Sequence, residues 1–115
     1  SFSTYIDRGV DVIQQTDGKI VVALENYVDQ KSIFSVARFN SNGTIDSTFG
    51  TGLGEDLGIV SIVIGDESAP VNIIQQADGK LAAAGRTKAH QGKYDIALIR
   101  LNLDGTLDTT FGMPE

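Results

Sequence analysis

Most of this chain is written twice, with the two copies slipped by one residue. Ile13 to Lys19 (IQQTDGK) returns as Ile74 to Lys80 (IQQADGK), six of seven residues identical at an offset of 61. Arg38 to Gly50 (RFNSNGTIDSTFG) returns as Arg100 to Gly112 (RLNLDGTLDTTFG), eight of thirteen identical at an offset of 62. The extra residue falls between these blocks, where Glu25 to Ser32 (ENYVDQKS) stands against Arg86 to Asp95 (RTKAHQGKYD). A polar segment that absorbs an insertion while its flanks keep register behaves as a scaffold loop. Self-similarity at this period marks a repeat architecture, in which one unit cannot bury its apolar face without a neighbour.

Within each unit the residues read as strands. Asp11 to Gln15 and Val71 to Gln75 are short and lean apolar. Asp17-Gly18 and Asp78-Gly79 predict two-residue hairpin turns, since Asp and Gly tolerate the positive φ of a type I′ turn. KIVVAL (Lys19 to Leu24) and KLAAAG (Lys80 to Gly85) follow, nearly continuous in small or branched apolar residues, as in a strand covered on both faces. IFSVARF (Ile33 to Phe39) and DIALIRL (Asp95 to Leu101) come next. A helix over YDIALIRLNLDG is opposed by Asp104-Gly105 and by the better strand propensity of its counterpart. GIVSIVI (Gly58 to Ile64) supplies a fourth strand, and FSTYI (Phe2 to Ile6) is its equivalent before the first unit.

The expected fold is all-β, with two β-propeller blades of four antiparallel strands per chain, divided as residues 1–50 and 51–115. Two blades cannot close a ring. The second ends without an outer strand, whereas the N-terminal strand is a spare one. Homo-oligomerisation answers both needs, the first strand of one chain completing the last blade of the next. Three chains give six blades and are favoured over two or four. A monomeric β-sandwich of the same strands, or a piece of a longer propeller, stays open as an alternative.

The DGK hairpins and the NGT/DGT-x-D-x-TFG phrases together resemble the delta-60 repeat family. The matching residues are Asp17 to Ala23 (DGKIVVA), Ile96 to Asn102 (IALIRLN), and Asn102 to Gly112. Leu24 stands where the pattern favours Gly, as Gly85 does, and Asn42 replaces Asp. The resemblance implies a propeller-like fold of bacterial or phage-associated type, often in surface or secreted proteins, and brings no catalytic residue, cofactor or ligand. An extracellular, cell-surface or phage-associated location is an expectation from that resemblance alone.

The repeated phrase invites a calcium-loop reading, which fails on chemistry. Setting Gly105 at the sixth loop position puts Arg100 first and Phe111 twelfth, and the first copy puts Arg38 and Phe49 there. A cation and an aromatic ring cannot replace the oxygen ligands calcium needs. A structural corner fits better. Gly43 and Gly105 allow a tight turn, and Asp46 and Asp108 can accept hydrogen bonds from the amides that follow. Phe49 and Phe111 then bury a ring, with Arg38 and Arg100 at the same phase for pairing with the aspartates.

Residues present in one copy only are freer to serve function. Asn26, Tyr27, Asp29, Arg86, Lys88, His90, Lys93 and Tyr94 form a candidate loop interaction surface, acidic in the first copy and basic in the second. His90 is the single histidine and no cysteine is present, so no metal site or cofactor is expected. Glu55-Asp56 and Asp66-Glu67 are acidic pairs of a kind glycosidases use, but nothing places them in a cleft, and GDES reads as a turn. Gly52, Gly54 and Gly58 lack the ending of a phosphate loop.

A net charge of −6 excludes a broad basic surface for nucleic acid. No apolar run reaches membrane-spanning length. The stretch from Ser1 shows no basic segment leading into an apolar one, so no signal peptide is expected within it. The preferred function is a noncatalytic structural or protein-interaction module that assembles with itself. A carbohydrate-binding propeller is the alternative, weakened by the lack of Trp platforms. A glycoside-cleaving enzyme with unrepeated acids is weaker still.

Overall fold

The computed structural model describes residues 7–28, 31–50, 58–62, 67–88 and 94–110. Among the described residues seven strands run in order: β1 (Asp7–Gln14), β2 (Ile20–Val28), β3 (Lys31–Phe39), β4 (Ile59–Ile62), β5 (Glu67–Gln75), β6 (Leu81–Lys88) and β7 (Tyr94–Leu101). They form two antiparallel sheets, β1-β2-β3-β4 and β5-β6-β7. The chain is therefore all-β, and the segment weighed as a helix is strand β7. Strand β4 pairs with β3, so the strand that precedes the second unit in sequence lies in the sheet of the first. Phe2 to Ile6 fall outside the described residues.

The two units match down to their irregularities. Strand β1 carries a bulge between Gly9 and Asp11, and β5 carries one between Pro70 and Asn72, 61 residues on. Proline has no N–H to give a ladder, and an edge strand at a bulge is where a sheet accepts it. Glu67 and Ser68 pair with Lys88 and Thr87. The expected GDES turn is corrected at those two residues, which extend β5 because the facing strand β6 offers them a continuous ladder. The one-residue insertion sits at the hairpin tips: Tyr27 pairs with Ser32 across four residues, and Lys88 pairs with Tyr94 across five.

The hairpin turns differ from expectation. Gln15 N donates to Lys19 O at 2.7 Å and Gly18 N to Gln15 O at 2.9 Å. That is a three-residue loop, Thr16 to Gly18, ending on a glycine at φ 92°. The three-residue loop takes a type I turn followed by a left-handed residue, so only Gly18 needs positive φ. Gln76 to Lys80 repeats it, and so do Asn40 to Thr44 and Asn102 to Thr106. One turn is used four times. Asp17, Asn42, Asp78 and Asp104 each accept the amide two residues on, at 3.0 to 3.1 Å.

The core lies between the sheets. In a strand alternate side chains face opposite ways, and Val21, Ala23, Phe34 and Val36 of the first sheet meet Ile73, Leu81, Ala83 and Leu101 of the second. Phe49 and Val60 join this cluster. Phe34 is fully buried, and it explains why Gly85 stands where the first copy has Leu24. A Cβ at Gly85 would lie 2.6 Å from the Phe34 ring and 2.3 Å from the Ala69 carbonyl oxygen.

Candidate functional site

The repeated phrase builds one polar corner per unit. In the first, the turn over Ser41 to Gly43 reverses the chain so that Asp46 returns beside Arg38. Asp46 N donates to Arg38 O at 2.9 Å. The Asp46 carboxylate then collects four donors: Thr48 N at 3.0 Å and Thr48 Oγ1 at 2.6 Å on one oxygen, Lys19 Nζ at 2.8 Å and Arg38 Nε at 2.9 Å on the other. The Arg38 guanidinium also stacks 4.5 Å from the centre of the Phe49 ring, which is fully buried. Asp46 itself is buried.

The second corner repeats the first. Asp108 receives Thr110 N at 3.0 Å, Thr110 Oγ1 at 2.6 Å, Lys80 Nζ at 3.0 Å and Arg100 Nε at 2.9 Å. Phe111 lies outside the described residues. Burial would raise the Asp46 pKa, but the hydrogen bonds from Lys19, the Thr48 hydroxyl and amide, and Arg38 overcome it and hold the carboxyl well below its usual range. At Asp108 the Thr110 hydroxyl leads, with Lys80, the Thr110 amide and Arg100 acting the same way. Thr106, by hydroxyl and amide, lowers Asp104.

Chemically these corners are closed. Each aspartate is fixed in its charged form by four donors, so it has no proton to trade near neutrality and its lone pairs are already directed to donors. Sequence reasoning missed Lys19 and Lys80. The signal was present, since Lys follows Asp-Gly in both hairpins, but only the folded sheet carries it across to the aspartate.

The unrepeated residues are placed differently from expectation. Asn26 and Tyr27 lie in β2, Arg86 and Lys88 in β6, and the backbone of Tyr94 in β7. The loop surface is corrected there to strand ends, because the β2-β3 ladder runs on to the Val28–Lys31 pair. Asp29, His90 and Lys93 lie outside the described residues, as do Glu55, Asp56 and Asp66. Between the sheets a half-open cleft with room for little more than water is lined by Glu25, Ser32, Glu67, Ser68, Ala69 and Arg86. Ser32 Oγ donates to the Glu25 carboxylate, and Phe34 N donates to Ser68 Oγ at 3.2 Å. Among the described residues no group of three or more His, Cys, Asp or Glu is placed to hold a metal ion. Nor is any helix there long and apolar enough to cross a membrane.

A family model described as a beta-propeller domain of unknown function, DUF5122, matches residues 15–49 and 76–111, together more than half the chain. The chain belongs to the DUF5122 beta-propeller family. Each DUF5122 match begins at the QTDG or QADG turn, takes in the two strands after it, and ends at the phenylalanine of the corner. Both aspartate corners thus fall inside the family's own unit. No curated protein matches the chain, and no solved structure does.

Proposed function

We propose that the protein is a noncatalytic structural and protein-interaction module that assembles with itself into a closed propeller ring, three chains supplying six blades. The observation that carries this reading is the unequal finish of the two sheets. The first has β4 laid along β3, whereas β7 has no fourth strand beside it among the described residues. An unpaired edge of this kind is a template for another strand, and Phe2 to Ile6 of a neighbouring chain is the segment proposed to fill it. The resemblance to delta-60 repeats and the family's description support the blade reading. The closed chemistry of both aspartate corners supports the noncatalytic one.

The test is the mass in solution by light scattering. A value near three times 12.2 kDa is expected, and a monomer at all concentrations would overturn the ring.

A further inference from the structure

The junction between the two sheets is a template for a second junction. Its first side is one face of β1-β2-β3, with Ile13, Phe34 and Val36; its second side includes Ile73. By the repeat offsets, the outer face of the second sheet carries Ile74, Ile96 and Leu98 where the first side carries Ile13, Phe34 and Val36. Phe34 and Val36 are fully buried, yet Ile96 is 86% exposed and Leu98 56%. On the opposite outer face, Val12 replaces Ile73, and exposure rises from 1% to 60%. The outer face of the second sheet therefore presents one half of the interface mated in the middle, and the other end presents the Val12 side of its outer face, where Leu24, Ser35 and Ala37 are buried within the chain.

We infer that these two ends dock on each other between copies of this chain, the outer face of β5-β6-β7 lying on the outer face of β1-β2-β3 of a second copy, in the register of the internal junction. This inference rests on the self-assembly just proposed and names its contact surface.

Polar groups agree with the register. Inside the chain Thr16 N donates across the junction to Gln75 Oε1 at 3.0 Å, while Gln75 Nε2 is held by Gly79 O at 3.4 Å. Gln14 is the counterpart of Gln75, and its Nε2 is held by Gly18 O at 3.2 Å in the same way. Its Oε1 is thus set to accept the counterpart donor, Ala77 N, from a second copy. Charge agrees as well. Glu25 and Arg86 occupy equivalent positions and line one cleft at the internal junction. Exchanging the roles of the units brings Arg86 of one copy to Glu25 of the next, so opposite charges meet at both junctions. An end-to-end contact of this sort is heterologous, and it forms a ring if the rotation closes.

The absence of cysteine allows a direct test. Chains carrying Ala77→Cys and chains carrying Gln14→Cys are mixed and treated with a short bis-maleimide, with the Thr16→Cys/Gln75→Cys chain as the intramolecular reference. The expected result is a covalent dimer in the mixture at least tenfold above either variant alone. Ile96→Glu/Leu98→Glu, at positions exposed within one chain, should abolish that dimer without changing the circular dichroism spectrum. An oligomeric mass with no cross-link would overturn this register while leaving self-assembly standing. A monomeric mass with no cross-link would overturn both.

Discussion

The corners around Asp46 and Asp108 have the same donors at nearly the same distances, but among the described residues their arginines reach different outer partners. At the first, Arg38 Nη1 donates to the carbonyl of Leu103 in the other unit at 2.7 Å, and Gly50 N donates to Asp104 O at 2.6 Å. At the second, Arg100 Nη1 instead reaches Gln76 Oε1 of its own unit at 3.4 Å, and the Arg100 side chain is 22% exposed against 8% for Arg38. Gln15, the counterpart of Gln76, keeps a buried Oε1 with no hydrogen-bond partner in the described structure. The aspartate's own bonds depend on a short stretch of chain and the strand beside it. The arginine's outer bonds depend on what lies next door.

The widest gap between the copies should appear in the apolar layer. Phe34→Ala removes a fully buried ring from the core and should cost about 3–5 kcal/mol. Ile96→Ala, at the equivalent position, should change the stability of an isolated chain by no more than about 0.5 kcal/mol. Urea unfolding at low protein concentration measures both. Equal losses there would break the contrast between a covered and an uncovered face.

A smaller difference is expected at the aspartates. Asp46→Ala leaves the buried Arg38 and the part-buried Lys19 without their carboxylate and should cost about 3 kcal/mol. Asp108→Ala should cost less, because water reaches Arg100 more easily. Both aspartates have folded-state pKa values below the unfolded value of about 3.9. Their stabilisation is therefore complete at neutral pH, begins to fall near about pH 5, and is progressively lost as pH drops toward the folded-state values. Asp46→Asn/Asp108→Asn should flatten that acid limb in a pH series of unfolding midpoints. An unchanged acid limb would remove the corners as its source.

What could be read from the residues follows the same division. Three strands of each unit were legible because apolar runs and Asp-Gly turns are local signals, whereas the fourth, grouped by sequence with residues 51–115, pairs with β3 in the first sheet. The pairing of Arg38 with Asp46 was suggested by their shared phase in both copies. The role of Lys19 was not, since 27 residues separate it from Asp46 and only the sheet closes that distance. The length of β5 was misjudged because Gly-Asp-Glu-Ser has turn composition, whereas Glu67 and Ser68 answer to the strand opposite. Gly85 is the clearest case of tertiary control. Its lack of a side chain is meaningless within its own strand and necessary once Phe34 is set against it.

Two glycines of the same turn separate backbone strain from packing, and they carry the smallest of the expected differences. Gly43 and Gly105 share a φ of 91°, so replacing either with alanine imposes the same left-handed penalty, about 1–2 kcal/mol. At Gly43 a Cβ meets nothing within 4 Å. At Gly105 it would lie 2.8 Å from Gly50 N and 3.1 Å from the Phe49 ring, where neither backbone nor buried ring can yield freely. Gly105→Ala should therefore lose a further amount of about 1–3 kcal/mol to overpacking. The comparison is best made twice, once on dilute chain and once at concentrations where copies associate. If the turn at Gly43 seats on the second corner of another copy, Gly43→Ala should approach Gly105→Ala only in the concentrated sample. A gap independent of concentration would show that the turn of the first unit has no corner to rest on.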